Sequence, residues 1–260
     1  MRTLLAVLMF FAVSAWPQQQ QGTVDVTAEP HHHHVLDNIF VRAYAVTVEP
    51  KTTSLMHRHP NNYLSVSLGD AEILNTKEGA QPVTTKLKDG DVRYTAAPLV
   101  HAVTDAADTP FRNITIELMQ PTTNQKACTE ACEIPITCEK DAPCASVTKV
   151  MSADQWSVTR ITIPPGGFYP KHTHLANFLV IPLTDGDTKV QVQDAAPITN
   201  HGETGKITWN NPVIHSITNT GSKPVSVVVL EFRGRPAGEG SESMGPQDAK
   251  SGEHKPHDHH

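Results

Sequence analysis

The sequence predicts an all-β fold of two tandem barrels joined by a cysteine-clamped connector, and three observations carry that reading. The chain repeats itself in register: His59 and Asn62 recur 115 residues on at His174 and Asn177, and Pro98, His101 and Glu117 recur 114 residues on at Pro212, His215 and Glu231. The two intervals differ by one residue of loop, which marks an internal duplication. Each copy is rich in short β-branched segments, among them NIFVRAYAVTV, NYLSVSLGDAEIL, VTRITI, TKVQVQ and PVSVVVLEF, and no helical period is sustained over three turns. Strands of this kind, separated by Gly, Pro, Asn and Asp turns, predict a sandwich or jelly roll. All four cysteines fall between the copies, in ACTEACEIPITCEKDAPCA.

Taken from the N-terminus, MRTLLAVLMFFAVSAW combines an early arginine, an apolar run from Leu4 to Val13 and small residues at Val13-Ser14-Ala15. That is the pattern of a cleaved secretory signal over residues 1–15, its apolar run shorter than the ~20 residues that span a bilayer. The expectation is a periplasmic or secreted chain, with no membrane association once the signal is removed. Residues 16–34, rich in Gln and closing on the tract His31 to His34, read as a disordered lead-in. A first barrel is expected over 35–120 and a second over 149–232, on either side of a connector at 121–148. In an exported chain Cys128, Cys132, Cys138 and Cys144 are expected to form two disulfides, with three pairings open. A zinc site is the competing use, although the spacings are longer and less regular than paired Cys-x2-Cys clips. Residues 233–260 read as a disordered tail, ending on His254, His257, His259 and His260, a group with incidental metal affinity.

Composition narrows the partners. With 38% hydrophobic residues, 18% charged residues and a net charge of -6, the 260-residue chain matches an ordinary globular protein of two domains. It lacks the basic balance that a phosphate backbone demands, so nucleic acid is excluded as a partner.

The chemistry is concentrated in histidines. MHRHPNNYLSV at 56–66 and PKHTHLANFLV at 170–180 each place two histidines one residue apart. Alternate residues of a strand share a face, so His57 with His59, and His172 with His174, can chelate one ion. His101 and His215, in the matched segments APLVHAVTD and NPVIHSITN, complete two sets of three imidazoles. Imidazole accepts Fe, Mn, Ni, Cu or Zn, so one or two divalent transition metals per chain are expected and ligand type does not choose among them. The competing reading is a set of hydrogen-bonded core histidines. Asn62 and Asn177 follow the pairs as a weak ligand or a water-orienting amide. Glu117 and Glu231 read either as an acid or base standing behind the ligands or as solvated charges at a barrel rim. Tyr63 and Phe178 are expected in the core, and Arg42, facing Ser157 in the repeat, is a candidate anion contact at the first set.

These residues resemble the cupin family, specifically the two-domain bicupins. Its first motif is written G-x5-H-x-H-x3-4-E-x6-G and its second G-x5-P-x-G-x2-H-x3-N. Gly166, His172 and His174 fit the opening of the first; Gly90 stands eleven residues before His101, as the second asks, and Asp105 and Asn219 stand four residues after His101 and His215. Lys51 replaces the first glycine of copy one, and Pro98 and Pro212 fall where the second motif has its later glycine. The resemblance implies two jelly-roll barrels and a metal site of three histidines and one glutamate in each. Asn62 and Asn177 occupy the glutamate's place, so the ion's charge is left uncompensated and a small anionic partner is expected: an enolate, phenolate or carboxylate. Among bicupins the resemblance implies oxidoreductase chemistry of the dioxygenase type, or a decarboxylase, or a non-catalytic binder of metal or a small ligand. It leaves an oligomer open, since two barrels can also pair within one chain.

Overall fold

The computed structural model describes residues 22–130, 132–138 and 143–233. The expected signal segment, residues 16–21 of the lead-in and the tail with its histidines lie outside the described residues. The described residues divide into two compact units, one built from Ala43–Glu117 with residues 22–35, the other from Leu36–Arg42 with the described residues of 118–233. Apart from one 3-10 turn at Val26–Ala28, the regular structure of the described residues is all strand.

The first ten strands are β1 (Val24–Asp25), β2 (His32–Asp37), β3 (Val41–Val48), β4 (His57–His59), β5 (Tyr63–Ser67), β6 (Ala71–Lys77), β7 (Val83–Leu87), β8 (Val92–Thr95), β9 (Leu99–Asp105) and β10 (Phe111–Leu118). They form two five-stranded sheets, in the orders β1-β4-β9-β6-β7 and β2-β3-β10-β5-β8. The period-two pattern of β3 from Tyr44 onward is the clearest cause: Tyr44, Val46 and Val48 are buried while Ala45 and Thr47 are partly exposed. Fully burying a valine of this kind contributes about 1.5–3 kcal/mol. The sheets face each other as a jelly roll, and β7 and β8 end their sheets as edges.

Residues 22–34 correct the expectation of a disordered lead-in. They form a strap across the first unit: β1 pairs in parallel with β4 through Val24↔His57 and Asp25↔Arg58, and β2 lies beside β3. Asp25 opens the 3-10 turn by accepting from the Thr27 N–H at 3.0 Å, and Val26 enters the core with no exposed surface. Composition misses this because one buried valine and a ladder to β4 do the anchoring, not an apolar run.

The second ten strands are β11 (Lys126–Ala127), β12 (Ser146–Ser152), β13 (Trp156–Ile163), β14 (Phe168–His174), β15 (Phe178–Pro182), β16 (Gly186–Val192), β17 (Ile198–Gly202), β18 (Thr208–Asn210), β19 (Val213–Asn219) and β20 (Val225–Phe232). They form a six-stranded sheet, β11-β12-β13-β20-β15-β18, and a four-stranded sheet, β14-β19-β16-β17. Phe40, from the segment that groups with this unit, packs on Trp209 and Phe232 at ring-centroid distances of 5.4 and 5.1 Å. The connector carries two disulfides, Cys128–Cys132 and Cys138–Cys144, which select one of the three pairings and leave no thiol for zinc.

The motif residues that follow the third histidine of each set hold turns. Asp105 accepts from the Ala107 and Phe111 N–H groups, both at 2.9 Å. Asn219 donates to the Ile163 and Lys223 carbonyls and accepts from the Gly221 N–H. Both are fully buried, so their polar groups must be satisfied locally.

Candidate metal centres

In the first unit β4 lies beside β9, which sets His57 directly opposite His101, and β2 brings a residue absent from the expected set, His32. Ring centroids are 5.0 Å apart for His57 and His59, 4.6 Å for His57 and His101, and 4.7 Å for His32 and His57. One nitrogen from each of His32, His57 and His59 lies within 4.8 Å of the others. Of the expected triad, His57 and His59 fall in this group with His32, while His101 lies beside it, its ring centroid 4.6 Å from that of His57 and 5.3 Å from that of His59.

The outward nitrogens fix the tautomers, because a carbonyl or carboxylate oxygen can only accept. His57 Nδ1 donates to the Leu55 carbonyl at 2.8 Å, His32 Nδ1 to Glu29 Oε2 at 2.7 Å, and His101 Nδ1 to Asn75 Oδ1 at 3.0 Å. Each ring then turns an Nε2 lone pair inward, the form in which imidazole binds a metal. His57 Nε2 and His59 Nε2 stand 3.1 Å apart, and His101 Nε2 is buried with no hydrogen-bond partner. An orphaned buried nitrogen beside two facing ones fits an ion better than a dry core.

Burial keeps these rings neutral. His57 is pushed down to about 4, chiefly by burial and then by His32. His101 is pushed down to about 3 and His59 to about 2, by burial first and by the neighbouring histidines next. At neutral pH the cluster has few protons to shed before a cation binds.

Glu29 stands behind His32. Burial raises its carboxyl, but hydrogen bonds from His32 and His31 and the Leu55 N–H outweigh it and hold the group down at about 2. It accepts from His31 Nδ1 at 2.8 Å and from the Leu55 N–H at 3.1 Å. Asn62 Oδ1 accepts from the Ala97 N–H at 2.8 Å, tying the β4–β5 loop to the loop after β8. The carboxylate missing from the ligand set is thus present one bond farther out.

Glu117, expected behind the ligands or at a rim, has no exposed surface, and its Oε1 lies 3.9 Å from His59 Nδ1. Tyr63 covers His59 with a centroid distance of 4.3 Å. Arg42 Nε donates to Asp37 Oδ2 at 2.9 Å.

The second unit repeats the plan in simpler form. His172 faces His215 across β14 and β19 with Nε2 atoms 2.9 Å apart, and His172, His174 and His215 place ligand atoms within 4.8 Å of one another. His172 Nδ1 donates to the Pro170 carbonyl at 2.8 Å, two residues back, as His57 does to Leu55. Glu231 takes the place of Glu117: its Oε2 lies 3.4 Å from His174 Nδ1, and its Oε1 accepts from the Leu175 N–H at 3.2 Å. Tyr169 stacks on His172 and Phe178 on His174, each at 3.9 Å. Burial, and then His172 and His174, push His215 down to about 4. Asn177 donates to Asn211 at 2.9 Å, so it too works in a loop.

Sequence reasoning missed His32 and Glu29. The usable signal was the alternation in HHHHVLD, which continues as a strand and gives His32 and His34 one face.

No family model matches the sequence and no curated protein matches it. Solved structures do share the fold. AerE from Microcystis aeruginosa superposes with a TM-score of 0.53 at 12% identity, over 79% of this chain and 99% of that one. The formate complex of Lactobacillus farciminis oxalate decarboxylase gives 0.52 at 12% identity, over 77% and 83%. Bacillus subtilis oxalate decarboxylase, a protein with Mn(II) centres, gives 0.51 at 11% identity, over 76% and 70%. What this chain shares with these structures is the architecture of two jelly-roll units. The chain has the bicupin fold.

Proposed function

We propose that the protein is an exported metal-dependent bicupin that acts as an oxidoreductase on a small anionic substrate. A divalent transition metal is held by His32, His57, His59 and His101 in the first unit and by His172, His174 and His215 in the second. The observation that carries this reading is the convergence of neutral Nε2 atoms, with His101 Nε2 lacking any other partner. A bound redox ion supplies Lewis acidity and electron chemistry. The chain's own residues do the rest. Leu55, Asn75 and Glu29 lock three rings in their ligating tautomer. Glu117, fully buried and next to His59, is the group placed to hold a proton lost by a substrate. With no carboxylate among the ligands, an anion compensates the charge of the ion and is drawn to it.

The experiment is metal analysis of protein purified without an affinity column and trimmed of its terminal histidines, followed by reconstitution with Fe(II), Mn(II), Ni(II), Cu(II) or Zn(II). Replacing His57 and His59 by Ala is expected to remove one ion, and replacing His172 and His174 the other. O2 uptake or CO2 release over a panel of small carboxylates and enolates, lost in His101→Ala, supports the enzyme. Anion binding at the ion without turnover under any metal makes the protein a non-catalytic binder instead, and unchanged metal content in both double variants removes the metal centres altogether.

A further inference from the structure

The two copies of the fold have diverged inside. In the first unit the strand pairs lining the interior join Ser65 to Thr115 and Ser67 to Asn113. The register-matched pairs of the second unit join Val180 to Val229 and Pro182 to Val227, and there Val229 packs with Ile161, Ile163 and Phe178 in a continuous aliphatic core. On the neighbouring strand Arg93 pairs with Ser65, where the second unit pairs Thr208 with Val180. The space that valines fill in the second unit is, in the first, a cavity of about 110 Å³ reaching from the histidines past Ser65 and Asn113 to Arg93. One wall is polar; the other, with Val46, Ile73 and Phe111, is apolar.

The histidine end of this chamber is covered. His57 and His59 are 1% exposed and His101 5%, with the strap residue Glu29 at 2%. Arg93 is exposed at the other end. It sits on β8 and its Nη2 donates to the Lys86 carbonyl of β7 at 3.3 Å, across the seam where the two sheets leave unpaired edges.

We propose that the first unit, and not the second, admits a small aliphatic oxyanion sideways through the seam between β7 and β8, with Arg93 as the cation it meets first. The chamber behind Arg93 presents hydroxyl and amide groups to the oxygen edge of the ligand and an apolar wall to its carbon face. An engineered cavity of ~150 Å³ holds benzene, so a chamber of this size takes an anion of about six non-hydrogen atoms or fewer and turns away aromatic acids. Only the end point of the path, the ion, rests on the metal reading above.

The test uses the full metal-loaded chain with glycolate and with mandelate, which carries the same head group and a phenyl ring. Calorimetry is expected to give one glycolate per chain and at least tenfold weaker mandelate. Ser65→Val and Arg93→Thr install the residues that the second unit has at the paired positions, so the fold accommodates them; unchanged circular dichroism and an unchanged ion count confirm it. Ser65→Val is expected to weaken glycolate at least tenfold. Arg93→Thr is expected to slow glycolate association at least tenfold in stopped flow and to abolish its salt dependence, and Arg93→Lys to restore most of the rate. No glycolate binding, two glycolates per chain, or wild-type binding and kinetics in both variants overturns the proposal. The two readings separate cleanly. Ions bound but glycolate indifferent to Ser65 and Arg93 sinks the chamber alone, whereas ion-free protein whose glycolate binding still needs Ser65 and Arg93 sinks the metal centres alone.

Discussion

Glu29 ties a stretch of polar chain to the histidine cluster. Its two oxygens grip His31 and His32 and leave His32 Nε2 facing His57. Partners of this kind tune ligand affinity, so Glu29→Gln is expected to weaken the ion of the first unit ~10–100-fold in a metal titration and to leave the second unit's ion unaffected. Lys51 shows the opposite relation between residue and backbone. It stands where the repeat has Gly166, and both adopt the left-handed region, with φ of 61° and 64°. A side chain there costs roughly 1–2 kcal/mol, part of which a glycine gives back as chain entropy. The contacts of Lys51 Nζ with Ala106 and Asp108 are exposed and contribute little. Lys51→Gly is expected to raise stability by about 0.5 kcal/mol and Lys51→Ala to lower it, as read from denaturant unfolding. The glycine position was legible in the sequence as a motif departure; that the turn survives it was not.

At the scale of elements, the histidine strands were legible and the strap was not. Period-two spacing is a local signal, and β4 and β14 obey it: His57 with His59, and His172 with His174, fall on one face as expected. The strap depends on long-range pairing of β1 with β4, and its composition resembles a flexible tail. Asn62 and Asn177 each also tie one loop to another through an amide hydrogen bond, a role that spacing does not announce. The clustering of buried neutral rings has a pH consequence for the metal-free protein. His57, His59, His101 and His215 have folded values between about 2 and 4, below the ordinary 6.5 of an unfolded histidine. Between those limits the unfolded chain binds more protons, so stability falls as pH drops below about 6.5, by up to ~1.4 kcal/mol per pH unit for each ring. Thermal unfolding of metal-free protein from pH 7.5 to 5 is expected to show a steep loss of Tm that a saturating metal abolishes; a flat profile contradicts the buried clusters.

At the scale of the whole molecule, the duplication was legible because identical spacings need no structure to be seen. The unequal interiors were not, although Ser65 and Val180 stand plainly in the sequence, because only the register reveals that both point inward. The connector adds a further expectation. With paired cysteines four and six positions apart in sequence, each loop is short, so each bond stabilises by about 2 kcal/mol at most in the chain-entropy model. Denatured, unreduced protein is expected to yield no titratable thiol. The strap separates the two centres in time as well as in composition. It covers the first cluster, where His57 and His59 are buried, whereas His172 is partly exposed. A chelator is therefore expected to strip one ion promptly and the other only as fast as residues 22–34 detach. The first unit would then preserve the metal it met while folding, and the second would report the metal supply of the moment.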